Sequence, residues 1–157
     1  MDQIKRSEGR SSVACAAYRS GESLYDDYYG EQKNYSRKGG VLLSEIHLPP
    51  HAPRRFFDRE TLWNELEWTE TNKKAQLAHS YDIALMNEFT LEENIELVRR
   101  FVEEQFVSRG MIVDLAVHNP DRNGGIPNPH IHIMVPIRPI NPEGSWGIKE
   151  KKMPVFD

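Results

Sequence analysis

The chain holds one cysteine, Cys15, among its 157 residues. No internal disulfide can form, and the expectation is a reducing, cytoplasmic compartment. There is no run of ~18 apolar residues, so neither a transmembrane helix nor a membrane partner is expected. The opening residues MDQIKRSEGR contain no apolar stretch and do not read as a signal peptide. Internal repeats and low-complexity tracts are absent as well. Excess positive charge is also missing: the net charge is -4, which argues mildly against a nucleic-acid partner. That argument is not decisive. Acidic residues crowd into RETLWNELEWTET and TLEENIELVRRFVEEQ, while Arg19, Lys33, Arg37, Lys38, Arg54 and Arg55 lie elsewhere. A net-acidic chain can still carry a basic face.

What is present suits one globular domain. The hydrophobic fraction is 38% and the charged fraction 28%, and the length is enough to bury a core. GRSSVACAAYRSG reads as a short helix, capped by Ser11 or Ser12 and ended by Gly21. The polar, Tyr-rich ESLYDDYYGEQKNYSRKGG reads as a loop or loose hairpin. VLLSEIHLP is strand-like and is stopped by Pro49 and Pro50. DRETLWNELEWTE is an amphipathic helix with Asp58 as cap and Leu62, Trp63 and Leu66 inward. KKAQLAH is expected to continue as helix, and YDIALM to form a short strand. The clearest helix is TLEENIELVRRFVEEQFVSRG. Thr90 and Glu93 make a capping box, and Leu91, Ile95, Val98, Val102 and Phe106 follow helical spacing. MIVDLAVHN and HIHIMVPIRP are strands joined by the turn-rich PDRNGGIPNP. The order of elements predicts an α+β fold with an antiparallel-rich sheet.

Alternation along these strands sorts the histidines. Val113, Leu115 and Val117 share one face, and Asp114, Ala116 and His118 the other. Ile131, Ile133, Val135 and Ile137 oppose His130, His132 and Met134. Each strand therefore has one apolar face, expected to meet the helices, all packed on one face of the sheet. The histidines fall together on the opposite face. By the same rule Asp82 points away from Tyr81, Ile83 and Leu85. Three neutral imidazoles with open positions would form a metal site with room for substrate. An isolated His-x-His pair is a weak signal and is more often a surface pair on an edge strand. A third histidine in phase on the neighbouring strand, with Asp82 available on another, favours the metal. His47, His51 and His79 lack such partners and read as surface or loop histidines.

Tyr18 falls late on a helix of small residues that can approach the sheet closely. A core aromatic is the commoner fate of such a tyrosine. Beside a metal, however, a tyrosine can attack phosphorus, because a cation favours the phenolate and offsets charge on the phosphoryl oxygens.

GRSSVACAAYRSGESLYD together with HNPDRNGGIPNPHIHIMVPIRPI closely resembles the MobA/MobL family of plasmid mobilisation relaxases. These belong to the HUH superfamily of single-strand DNA endonucleases, whose motif corresponds here to His130-Ile131-His132. The resemblance extends to TLWNELE, FTLEENIELVRRFVEEQFVSRGM and GSWGIKEKK, and so covers essentially the whole chain. It implies a single relaxase domain over residues 1–157, of the ferredoxin/RRM-like architecture. It implies Tyr18 as nucleophile, His118, His130 and His132 as ligands of a divalent metal ion (Mn²⁺ or Mg²⁺, with other transition metals as alternatives to Mn²⁺), and Asp82 where the family usually has Glu. Tyr25, Tyr28, Tyr29 and Tyr35 then become loop and DNA-stacking residues. The implied activity is nicking and rejoining of a transfer-origin strand through a 5′-phosphotyrosyl link. The implied partners are single-stranded or hairpin transfer-origin DNA and other relaxosome and coupling proteins. Arg19, Arg37, Lys38 and Arg122 are the candidate DNA contacts. Family sequences usually start about ten residues earlier, with an apolar strand of which MDQI is nearly all that remains. They also continue past Asp157, so the chain reads as a shortened domain. The alternatives are a shortened HUH-like domain that binds DNA without cutting it, a replication initiator or transposase of the same superfamily, and a plain histidine-site hydrolase. Initiators and transposases carry their tyrosine C-terminal to the histidine motif, and here it lies far N-terminal.

Overall fold

The computed structural model describes residues 1–119 and 129–149. A five-stranded sheet has the spatial order β1-β5-β7-β6-β4, and each neighbouring pair is antiparallel. Its strands are β1 (Asp2–Lys5), β4 (Val41–His47), β5 (Gln76–Ala84), β6 (Val113–His118) and β7 (His130–Pro136). A separate hairpin pairs β2 (Ser23–Asp26) with β3 (Glu31–Asn34). The helices are α1 (Ser12–Ser20), α2 (Arg59–Thr69) and α3 (Leu91–Gln105). The fold is α+β, as expected. Among the described residues no helix is long and apolar enough to cross a membrane.

The local signals act as their chemistry requires. The Ser11 side chain accepts from the Ala14 amide to start α1, and Gly21, at φ 71°, ends it. Asp58 caps α2 through the Thr61 amide. Thr90 and Glu93 exchange both bonds of a capping box at α3.

Three expectations are corrected. First, KKAQLAH is not helical, because β5 already begins at Gln76. As an interior strand, β5 is buried on both faces from Leu77 to Tyr81, so the alternation that signals a strand is lost there. His79 is accordingly not a surface residue. It is fully buried in β5 between Gln3 of β1 and Val135 of β7. Second, the chain's first residues do form an edge strand. Asp2–Lys5 pair with β5, and Ile4 is fully buried. Third, the helices do not share one face. Val98, Val102 and Phe106 cover Val113, Leu115, Val117, Ile131, Ile133 and Val135 on one side. On the other side α1 and α2 pack with Ile4, Ile46, Ala78 and Met134.

The polar side of β6 is covered because its polar groups find partners there. Asp114 accepts from Arg59 Nε at 2.8 Å, from Arg59 Nη2 at 2.9 Å and from Trp63 Nε1 at 2.8 Å. All three residues are buried, which pins α2 to β6. A second buried carboxylate, Glu67 of α2, accepts from Ser12 Oγ at 2.7 Å, from the Ser12 amide at 3.2 Å and from Arg6 Nη2 at 3.0 Å. This contact joins α2 to the start of α1.

Asp114→Ala should cost about 3–5 kcal/mol, because it leaves Arg59 Nε and Nη2 and the Trp63 indole N–H buried without their acceptor, while Glu22 stays paired with Arg59 Nη1. Urea unfolding measures the loss. A cost below about 1 kcal/mol would mean that these donors find other acceptors without penalty.

Candidate metal and nucleic-acid site

The register of the central strands assembles the site. His118 of β6 lies opposite His130 of β7, and His132 of β7 lies opposite Asp82 of β5. Directly paired residues share a face, and residues two apart on a strand share it too. His118, His130, His132 and Asp82 are therefore on one face, the one that α1 and α2 partly cover. The His118 and His132 rings are 4.3 Å apart between centroids.

Each of these two rings has one nitrogen committed. The Nδ1 of His132 lies 2.5 Å from Asp82 Oδ1, so its N–H faces the carboxylate and Nε2 is left as the lone-pair nitrogen. His118 Nε2 donates to the carbonyl oxygen of Arg19 near the end of α1. Burial holds both imidazoles below the usual histidine range. In His118 the Arg19 carbonyl opposes this, and in His132 Asp82 does. The neutral form is the one a metal requires. Among the described residues, no three His, Cys, Asp or Glu side chains are gathered tightly enough to hold a metal ion. The donor set nevertheless fits a divalent ion in kind: neutral imidazoles on one face, with a carboxylate orienting one of them.

Tyr18 stands beside this face. It is 51% exposed on the last turn of α1, so it is not a core aromatic. A cleft of about 420 Å³ is lined by Tyr18, Arg10, Arg19, Tyr35, Asp82 and His132, among others. Helix α1 can lie close here because Ala16 and Ala17 are buried on it and Ala116 is buried on β6. Arg19 Nη2 donates to Ser80 Oγ of β5 at 2.8 Å, a further tie between helix and sheet.

The other candidates separate. Lys38 reaches Tyr18, its ammonium 2.8 Å from the Tyr18 carbonyl oxygen. Arg37 is exposed. Arg122 lies outside the described residues. Of the four tyrosines expected in the loop, of which Tyr25 lies in β2, Tyr35 meets Tyr18 edge to face at 5.2 Å. Tyr28 instead packs under the Arg6 guanidinium, and Tyr25 does not line the cleft. Arg10, which donates to Asp2 at 2.7 Å, lines the cleft and was not anticipated. Its place next to the Ser11 cap was the available signal. The remaining histidines have structural contacts. His47 has Glu45 and Glu103 on its two ring nitrogens, and His51 donates to the Ile140 carbonyl.

Comparison with known proteins places the chain in a family. A conjugal transfer protein TraA of Rhizobium radiobacter is 39% identical over 94% of this chain. A mobilization protein MobL of Acidithiobacillus ferridurans is 31% identical over 93% of it. The chain spans 14% of the first relative's length and 43% of the second's. A solved structure described as "Molecular Basis of Vancomycin Resistance Transfer in Staphylococcus aureus" superposes with a TM-score of 0.84. It is 36% identical, and the match covers 95% of this chain and 74% of that one. The profile of the MobA/MobL family matches residues 10–155, and the chain belongs to that family.

Proposed function

We propose that the chain is a relaxase domain that cuts and rejoins one strand of transfer-origin DNA during plasmid mobilisation. Tyr18 is the nucleophile, and His118, His130 and His132 are the metal ligands. The observation that carries this reading is the shared cleft, in which an exposed tyrosine faces the Asp82–His132 pair. Membership in a family that includes mobilisation and conjugal transfer proteins supports it.

Tyr18 Oη attacks the scissile phosphorus and loses its proton as the new P–O bond forms. The bond to the 3′-oxygen breaks, which leaves a free 3′-OH and a 5′-phosphate esterified to Tyr18. One phosphodiester replaces another, so the reverse attack by the 3′-OH rejoins the strand. An ordinary phenol, with a pKa of about 10, is a poor nucleophile at neutral pH and needs help. A bound divalent cation would supply positive charge next to the phosphoryl oxygens and the phenolate. Asp82 holds His132 in the tautomer that leaves Nε2 free for the ion. Arg10 and Arg19 line the approach with positive charge suited to a phosphate backbone.

The decisive experiment uses single-stranded transfer-origin oligonucleotides with Mn²⁺ or Mg²⁺, resolved on a denaturing gel. Tyr18→Phe should abolish the covalent adduct while leaving folding and DNA affinity essentially unchanged. An adduct that survives this substitution rules out Tyr18 as nucleophile, and Tyr35 becomes the first residue to test, since it shares the cleft. If the unsubstituted chain binds DNA and forms no adduct, the domain binds without cutting.

Asp82→Asn should weaken Mn²⁺ binding by roughly 10–100-fold, as expected when the partner of a ligating histidine is lost. Calorimetric titration measures this, and unchanged affinity would show that Asp82 does not prepare His132 for the metal.

DNA affinity should favour single strands over blunt duplex. Its logarithm should fall with the logarithm of salt by about 0.7 for each phosphate contacted. Binding that is indifferent to salt would remove the backbone contacts from the reading.

A further inference from the structure

Lys38 has two contacts with the same residue. Its Nζ donates to the Tyr18 carbonyl oxygen at 2.8 Å and lies 3.6 Å from the centroid of the Tyr18 ring. The Tyr35 ring closes on Tyr18 from another direction, edge to face at an interplanar angle of 89°. The segment carrying both residues is tied down. The Tyr35 amide donates to the Glu22 carbonyl just past α1, and the Lys38 amide donates to the Tyr35 carbonyl, each at 3.0 Å. Asn34 Oδ1 accepts from the Ser36 amide at 3.0 Å. An exposed tyrosine on a last helical turn is otherwise free to change rotamer. Here one ring face meets a cation and one side meets an aromatic edge, while half of the residue stays open to solvent.

We propose that Lys38 is a positioning residue for Tyr18, its ammonium on the ring face fixing the direction in which the phenol hydroxyl points into the cleft. The assignment rests on the reading of Tyr18 as nucleophile. It differs from a phosphate-contact role for Lys38, because the ammonium is already engaged by the ring and the carbonyl. Partial burial and the neighbouring Arg19 push the Lys38 amine below its ordinary value. The carbonyl contact alone would make Lys38 a cap for the end of α1. The ring contact is what a capping role does not require. A displacement of about 1 Å at a reacting group can cost about 100-fold in rate, so ring orientation matters to the chemistry.

The test compares Lys38→Met, which keeps the stem and removes the charge, with Lys38→Arg, which keeps a cation able to stack on the ring. The first measurement needs neither DNA nor metal. Three-bond couplings report the χ1 rotamer of Tyr18 by NMR, with amide dispersion confirming that each variant is folded. A single rotamer in the unsubstituted chain and in Lys38→Arg, with averaging in Lys38→Met, supports the proposal. A single rotamer retained in Lys38→Met overturns it. The second measurement is single-turnover formation of the covalent adduct, alongside affinity for the oligonucleotide as a function of salt. Lys38→Met should slow the bound complex about tenfold or more, with affinity and salt slope unchanged, and Lys38→Arg should recover most of the rate. A Lys38→Met protein whose bound complex reacts normally, but whose salt slope falls by about 0.7, makes Lys38 a phosphate contact and overturns the proposal. Equal slowing in both variants also overturns it, since the cation would then be irrelevant. If the rotamer result is as expected and the unsubstituted chain forms no adduct, the relaxase reading fails while the positioning of Tyr18 by Lys38 stands.

Discussion

The site rests on a buried ion pair that contains none of its residues. Asp114, held by Arg59 and by the Trp63 indole, lies four residues before His118 on the same face of β6. That clamp seats α2 against the sheet, and Glu67 of α2 then receives the first turn of α1 through Ser12. The position of Tyr18 beside the histidine face is therefore set through a relay of two buried carboxylates. Apolar packing alone would let a short helix of small side chains slide, since alanines offer little relief to lock against. Buried ion pairs add little net stability over a well-packed apolar alternative, and breaking one is costly. Here they define a single seat for the helix.

These pairs also explain why the net charge says little about the cleft. Asp114, Glu67 and Glu70 all count toward the charge of -4. Each is buried against a cation: Arg59, Arg6, and Arg138 with Lys149. Most of their field is cancelled locally. A passing phosphate would instead meet Arg10 and Arg19 at the rim of the cleft.

Much of this was legible in the sequence where the governing forces are local. The capping box at Thr90 and the spacing from Leu91 to Phe106 define α3 without help from the rest of the chain. The two-residue repeat in β6 and β7 puts the histidines on one face before any partner is known. What escaped depends on residues far apart in sequence. Arg59 and Asp114 are 55 positions apart, as are Ser12 and Glu67, so the sequence shows Asp114 only as a polar residue on the face of His118 and Glu67 only as one of a crowd of acidic residues. The start of β5 was hidden for a related reason. A strand buried on both faces has no alternation, and its Ala, Gln and Leu suit a helix equally well. Tyr25 is nearer to Tyr18 in sequence than Tyr35 is, yet the hairpin folds Tyr35 back onto Tyr18 and leaves Tyr25 off the cleft.

The contact between His118 and the Arg19 carbonyl makes the helix end and the strand imidazole parts of one equilibrium. The carbonyl belongs to the residue after Tyr18, and the donor belongs to the histidine face. Any ligand that draws the His118 ring away from this carbonyl must do work against the helix end. By reciprocity, any event that shifts the helix end changes the affinity at His118 by the same factor. The helix that carries Tyr18 and the histidine face thus form a thermodynamic cycle closed through one hydrogen bond, and occupancy on one side is read as free energy on the other.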